Sequence, residues 1–226
     1  SEKLDGAQAG VSFSQDLDLL LQCRGHYLTG GAGEFQFAPF KAWAAAISDR
    51  LLEVFEDRYL MFGEWTYVTH SQFYDALPHY FHEFDIWDKW DEVFLSSDRR
   101  AALLKGLPIV SAPVLHAGDA PRSVADIRRM IVPSAYRSPA WREVLRAHAR
   151  DSDRDPEDVF SRTADDDRME GVYGKLEQDG QVVFRWKFVN DRFTQTVLDR
   201  GDRFNSWTMV TNLLRERGDI MRLIND

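Results

Sequence analysis

Two runs of alternating side chains, Glu170–Glu177 and Gln181–Val189, flank Gln178-Asp179-Gly180. An Asp-Gly pair between such runs commits the chain to a tight β-hairpin, because both turn residues tolerate the left-handed backbone that the turn requires. Upstream, short apolar runs at Val11–Phe13 and Leu17–Cys23 read as strands, punctuated by Gly30-Gly31-Ala32-Gly33. Aromatic and branched residues fill Arg58–Tyr67 and Tyr80–Trp87, two further strands separated by Asp75-Ala76-Leu77-Pro78. Between these groups, Trp43, Ile47, Leu51 and Val54 recur at helical spacing after Pro39, which predicts one amphipathic helix from Phe40 to Phe55.

The remainder alternates in the same irregular way. Ser96 or Ser97 caps a short helix through Lys105 that Gly106 ends, and Ile109–Leu115 returns as an extended run. Helices are expected near Ser123–Ile131, at Ala140–Ala149 and over the tail Ser206–Ile224. From Asp151 to Glu170 nine acids face three arginines, a local net of −6, which reads as a solvated linker or loop. Strands interleaved irregularly with helices predict an α+β class built on antiparallel sheets, as one main domain over 1–226 without internal repeats.

With 226 residues and 44% hydrophobic side chains, the chain can bury a sizeable core. No apolar run reaches the roughly 18 to 20 residues of a membrane span, so a membrane partner is not expected. Cys23 is the single cysteine, which excludes an internal disulfide and a cysteine-cluster zinc site and points to the cytoplasm. The net charge of −9 argues against a polyanion partner, but the acidity is concentrated in one stretch, and Arg185–Asp226 carries a net of +2.

Five short motifs carry chemistry. Glu2-Lys3-Leu4-Asp5-Gly6 presents a lysine two residues before Asp-Gly, a pattern that by itself also suits a surface turn. Cys23-Arg24-Gly25 follows, then Phe62-Gly63-Glu64-Trp65 with His70-Ser71, Tyr74–Phe81 and Phe84-Asp85-Ile86. Glu170-Gly171-Val172-Tyr173-Gly174-Lys175 and Arg185-Trp186-Lys187 complete the series. In type and order these resemble the motifs of the ATP-dependent RNA ligases, a branch of the covalent nucleotidyltransferases that also include DNA ligases and mRNA capping enzymes.

That resemblance implies an adenylyltransferase fold of antiparallel sheets flanked by helices, with the ATP pocket between them. It implies that Lys3 takes AMP from ATP, that AMP passes to an RNA 5′-phosphate, and that a 3′-hydroxyl displaces it, with Mg²⁺ or Mn²⁺ bound by Glu170. Lys3, Glu170 and Lys187 would be catalytic. Glu2, Leu4, Asp5, Gly6, Gln8, Arg24, Phe62, Glu64, Tyr173, Lys175, Arg185 and Lys187 would line the nucleotide: Phe62 and Tyr173 against adenine, Glu64 and Arg24 on ribose or the RNA end, the basic residues on phosphates. Aromatics on strands also serve as core, and Asp5 also suits a plain turn.

An ordinary lysine, with a pKa of about 10.4, is almost wholly protonated at neutral pH, so the nucleophile must be brought down. The expectation is that a metal and the Arg185–Lys187 pair, facing the same phosphates, hold Lys3 neutral. Three departures stand out: Ala7-Gln8 replaces the branch's usual Ala-Asn or Ser-Asn, Arg185 replaces a lysine, and two residues precede Lys3, so an N-terminal segment or further domain is expected elsewhere. The 39 residues after Lys187 are too few for an appended OB-fold, which favours the RNA branch. A DNA ligase or capping-type enzyme, or a non-catalytic RNA-end-binding module, are the rival readings.

Overall fold

Alternation along Ala7–Phe13 puts Ala9, Val11 and Phe13 on one side, and this strand is the middle of the larger sheet. A computed structural model of the chain describes residues 1–31, 33–194 and 210–216. In chain order the strands are β1 (Glu2–Lys3), β2 (Ala7–Phe13), β3 (Leu19–Cys23), β4 (His26–Tyr27), β5 (Tyr59–Trp65), β6 (Phe81–Asp88), β7 (Val93–Phe94), β8 (Val110–Ser111), β9 (Gly171–Gln178) and β10 (Gln181–Val189). The helices are α1 (Ala38–Ala46), α2 (Ser48–Phe55), α3 (Ser97–Leu103), α4 (Val124–Arg129), α5 (Trp141–Asp151) and α6 (Pro156–Ser161). The larger sheet runs β4-β3-β2-β5-β6-β7 with β8 parallel to β6, and the smaller runs β1-β9-β10, antiparallel throughout. The mixed α+β class expected from the sequence is therefore observed.

One face of the larger sheet is the core. Phe40, Trp43, Ile47, Leu51 and Phe55 from the α1–α2 pair pack on Val11, Phe13, Met61, Trp65, Phe81 and Ile86. Burial of these large rings removes a large apolar area from water. Gly63 permits this packing, since a Cβ there would meet the Phe81 ring at 2.4 Å. The single helix expected over 40–55 is two helices. Ile47 leaves helical geometry at φ −108°, ψ 7°, and the Ser48 hydroxyl donates to the Ala45 carbonyl, a local bond that competes with the helical ladder.

The acidic stretch is not a solvated linker. Asp155 caps α6 by accepting from the Glu157 and Asp158 amides at 2.9 and 2.8 Å, and Val159 is buried against Trp141 and Leu145. Its acids are met by arginines largely from α5, Arg142 with Asp165 and Asp167 and Arg146 with Glu157, and locally by Arg162 with Asp158. Asp155→Ala is expected to lower stability by about 1 kcal/mol, read from urea denaturation, because two orphan amides lose their acceptor.

The tail also departs from expectation. Within Ser206–Ile224 the described residues 210–216 are not helical, and the remainder lies outside the described residues. Asn212 is fully buried and donates to the Thr66 carbonyl at 2.7 Å, while its Oδ1 accepts from the Tyr74 amide and the Thr69 hydroxyl. Its backbone amide donates to the Tyr67 carbonyl and the Thr69 amide donates to the Val210 carbonyl, an antiparallel bridge that holds the segment out of a helix. At the hairpin, Asp179 and Gly180 take φ of 52° and 79°, the left-handed pair foreseen from the sequence. Among the described residues, no helix is long and apolar enough to cross a membrane.

Candidate active site

Pairing decides which side chains meet. On the smaller sheet Lys3 lies opposite Gly171, Lys187 opposite Tyr173 and Arg185 opposite Lys175, so Lys3, Tyr173, Lys175, Arg185 and Lys187 share one face. On the larger sheet Glu64 and Phe62 sit on the face opposite the core, with Gln8 beside Glu64 and Asp85 beside Phe62. The contacts of Asp85 with Lys175 and Arg185 show that these two faces look at one another.

Lys3 Nζ donates to Glu170 Oε1 at 2.5 Å. Its side chain remains 27% exposed, so it is reachable from the cleft. Burial alone would lower the ammonium's pKa, but Glu170, Glu64 and Asp5 outweigh it and hold Lys3 above the ordinary lysine value. The charged neighbours of Lys3 are thus carboxylates rather than the Arg185–Lys187 pair. Arg185 is engaged elsewhere, and Lys187 is exposed with no hydrogen bond or ion pair to another described residue.

The carboxylates answer in kind. Burial, then repulsion from Asp5, push Glu170 up to about 8 against the pull of Lys3. Burial likewise pushes Glu64 up to about 7, with Asp5 adding to the rise and Lys3 opposing it. Three carboxylates around one ammonium leave excess negative charge, which favours uptake of a proton or a cation.

Asp5 has a defined structural role. Its Oδ2 accepts from the Ser71 and Gln72 amides at 2.6 and 2.7 Å, and its own amide donates to the Tyr74 hydroxyl, tying the Lys3 strand to the loop at 71–74. Gly6 does not adopt a left-handed backbone. A Cβ at Gly6 would meet the Trp65 carbonyl at 2.6 Å, and that close approach is what requires glycine. Glu2 and Leu4 alternate with Lys3 and turn the other way. Glu2 is buried near Ser134, Ala135 and Arg137, and Leu4 packs with Tyr74, Leu77 and Tyr136, so neither side chain lines the cleft. Arg24 is exposed in the β3–β4 turn, at the sheet end that holds Gln8 and Glu64.

Sequence reasoning missed the residue that organises the other end. Asp85, 1% exposed, is ion-paired with Lys175 at 2.7 Å and accepts from the Tyr173 hydroxyl at 2.6 Å and from Arg185 at 3.2 Å, while Lys175 donates to the Phe84 carbonyl. Arg185 also lies over the Phe94 ring at 3.7 Å. Lys175 and Arg185 are thus held by a carboxylate that the Phe84-Asp85-Ile86 motif carried in plain view. Asp85→Ala is expected to cost about 3 kcal/mol in urea denaturation, since it strands a buried lysine. The aromatic set against Tyr173 is Phe84, edge-on at 5.8 Å, whereas Phe62 meets Phe94 at 6.3 Å. An irregularity in the β5–β6 register after Phe62 is what alternation alone could not reveal.

Among the described residues no group of three or more His, Cys, Asp or Glu side chains could hold a metal by itself. Glu170 Oε2, however, is buried with no hydrogen-bond partner among the described residues. A single free carboxylate oxygen fits a hard divalent cation whose other ligands are water and substrate phosphates.

No curated protein matches the chain. Among solved structures it is similar to Naegleria gruberi RNA ligase: to a lysine-to-methionine mutant with AMP and Mn at TM-score 0.58 and 17% identity, and to a lysine-to-alanine mutant with ATP and Mn at 0.55 and 18%. In both cases 88% of this chain is covered and 51% of the other, so the chain spans about half the length of these proteins. These likenesses establish the fold. The model of the RNA ligase family matches residues 1–189, from the strand that bears Lys3 to the last residue of the hairpin that bears Arg185 and Lys187, and by that match the chain belongs to the RNA ligase family.

Proposed function

We propose that the protein is an ATP-dependent RNA ligase that works through a covalent lysyl-adenylate on Lys3. The observation that carries this reading is the 2.5 Å contact between Lys3 and Glu170 in a cleft that also holds Glu64 and, from the opposite end, the basic residues of β9 and β10. The Lys3 ammonium first loses a proton, its neutral Nζ then forms a bond to the α-phosphorus of ATP as the bond to pyrophosphate breaks, and a second proton leaves the nitrogen. Glu170 is placed to receive it. Its carboxylate accepts the amine's hydrogen bond, and burial together with repulsion from Asp5 makes it a stronger base than an ordinary glutamate.

Glu170 would hold Mg²⁺ or Mn²⁺, which when bound would offset the charge gathering on the departing pyrophosphate. Lys187, exposed on the cleft face, supplies a donor for the same phosphates, and Glu64 accepts from the ribose. Phe84 and Tyr173 would open from their edge contact to hold the base between them. An RNA 5′-phosphate oxygen then takes the adenylyl group, restoring the Lys3 amine, and a 3′-hydroxyl displaces AMP to form the phosphodiester. With one free cysteine the chain has no need of an oxidising compartment, and we place it in the cytoplasm.

The test is incubation of the protein with α-labelled ATP or GTP and Mn²⁺, followed by denaturing electrophoresis. Acid-labile label from ATP alone supports the ligase reading. Label from GTP alone would assign a capping-type activity instead, and no label from either would favour a binding module.

A further inference from the structure

The cleft occupies one face of the small sheet; its other face carries Phe184, Trp186 and Phe188 at alternate positions of β10, about 6.6 Å apart along the strand. Phe184 is 60% exposed, with Leu176 opposite it on β9 and 50% exposed. The Trp186 ring lies flat over Gly174, where a Cβ would come within 2.0 Å of it. At the far end the Arg128 guanidinium stands 6.0 Å above Phe188, itself 62% exposed and joined to Asp191 at 3.4 Å; Arg129, 74% exposed, follows it. None of these residues takes part in the chemistry described above.

We propose that this face binds a single strand of the RNA substrate by stacking bases on Phe184, Trp186 and Phe188, with Arg128 and Arg129 on its phosphates. The inference rests on the ligase reading, because it assigns the substrate of that same site a path. Aromatics in a row on a β-sheet, Phe184 exposed and Trp186 and Phe188 half-buried, suit unpaired bases, which offer a π-face whatever their sequence, and neighbouring arginines supply the electrostatic part. In a chain of net charge −9 such a local pairing of aromatic and cation is informative. β10 is the edge of its sheet, so a strand leaving the cleft at Lys187 needs only to cross that edge. The position also fits: Asn190, just past β10, donates its amide to the Glu170 carbonyl at 2.7 Å, so the basic end of the row lies beside the reaction centre. The hairpin tip carries Glu177 and Asp179, which would repel phosphate, so the backbone is anchored at the Arg128 end.

The experiment compares wild type with Phe184→Ala, Phe184→Tyr, Arg128→Ala and the Phe184→Ala/Arg128→Ala pair. Fluorescence anisotropy with a 5′-phosphorylated single-stranded RNA measures affinity, and labelling by α-labelled ATP is measured on the same preparations. The double variant is expected to bind RNA about tenfold or more weakly with lysine labelling unchanged, Phe184→Tyr to bind like wild type, and Arg128→Ala to reduce the salt slope by about 1. Wild-type RNA affinity in the double variant would overturn the proposal, as would absence of RNA binding by wild type. So would variants that change only self-association on size exclusion, since the face would then dock protein. If wild type binds RNA through this face but takes no label from ATP, the ligase reading fails while the RNA surface stands.

Discussion

Lys3→Ala is expected to reduce labelling by α-labelled ATP by more than about 10³-fold, to background, while leaving the protein folded. The amine is the atom that forms the bond to phosphorus, and no other lysine stands beside Glu170: Lys175 is held by Asp85, and Lys187 sits one pleat further along the sheet. Loss of a partly exposed side chain at 27% should change stability little, although Glu170 then loses its cation and its pKa should rise further. Circular dichroism and denaturant midpoint establish that folding is intact. Label retained by the alanine variant would mean that a different residue is the nucleophile. A Lys3→Arg variant sharpens the point, because it preserves the ion pair but cannot be deprotonated, and it should be as inactive as alanine.

Glu170→Gln should cut adenylylation by about 10²- to 10³-fold, since the general base and the orphaned buried oxygen nominated for the metal are lost together. Shape is preserved, so the effect reports chemistry. The same variant tests the electrostatics. Burial first, then Asp5, raise Glu170 to about 8, and burial raises Glu64 to about 7, so between the ordinary glutamate value of 4.5 and these values the folded protein binds protons that the unfolded chain has released. Stability from this source is complete below pH 4.5 and is lost as pH rises towards 8. Lys3, shifted upward, contributes throughout that window and loses its contribution only above the ordinary lysine value of 10.5. Thermal midpoints measured without metal should therefore fall between pH 5 and 8, and Glu170→Gln should flatten the upper part of the fall. A midpoint that climbs across the window would show that the carboxylates are not strained by one another.

How far the sequence reached is clearest at the hairpin and at Lys3. Asp179-Gly180 and its flanking alternation specified β9, β10 and their pairing, because the turn demands left-handed backbone at adjacent residues and strand period is local. The motif order likewise named Lys3, Glu64, Glu170 and Lys175 without any knowledge of contacts, and the structure gathers them in one cleft between two sheets. Phe84 and Asp85 were equally visible as residues; their placement against Tyr173 was not, because it depends on a register irregularity in β5–β6 and on contact across 88 positions of chain.

The charge state of Lys3 shows the same division. By itself, the sequence determined that an amine precedes Asp-Gly, that a hairpin presents cations, and that the elements alternate as α+β. Tertiary structure alone decided that the amine's charged neighbours are Glu170, Glu64 and Asp5 and that α5 arginines pair with Glu157, Asp165 and Asp167 of the acidic stretch. Turn conformation and side-chain period arise within a few residues, whereas electrostatic environment is the sum over whatever the fold brings within several ångströms, and that sum has no local trace.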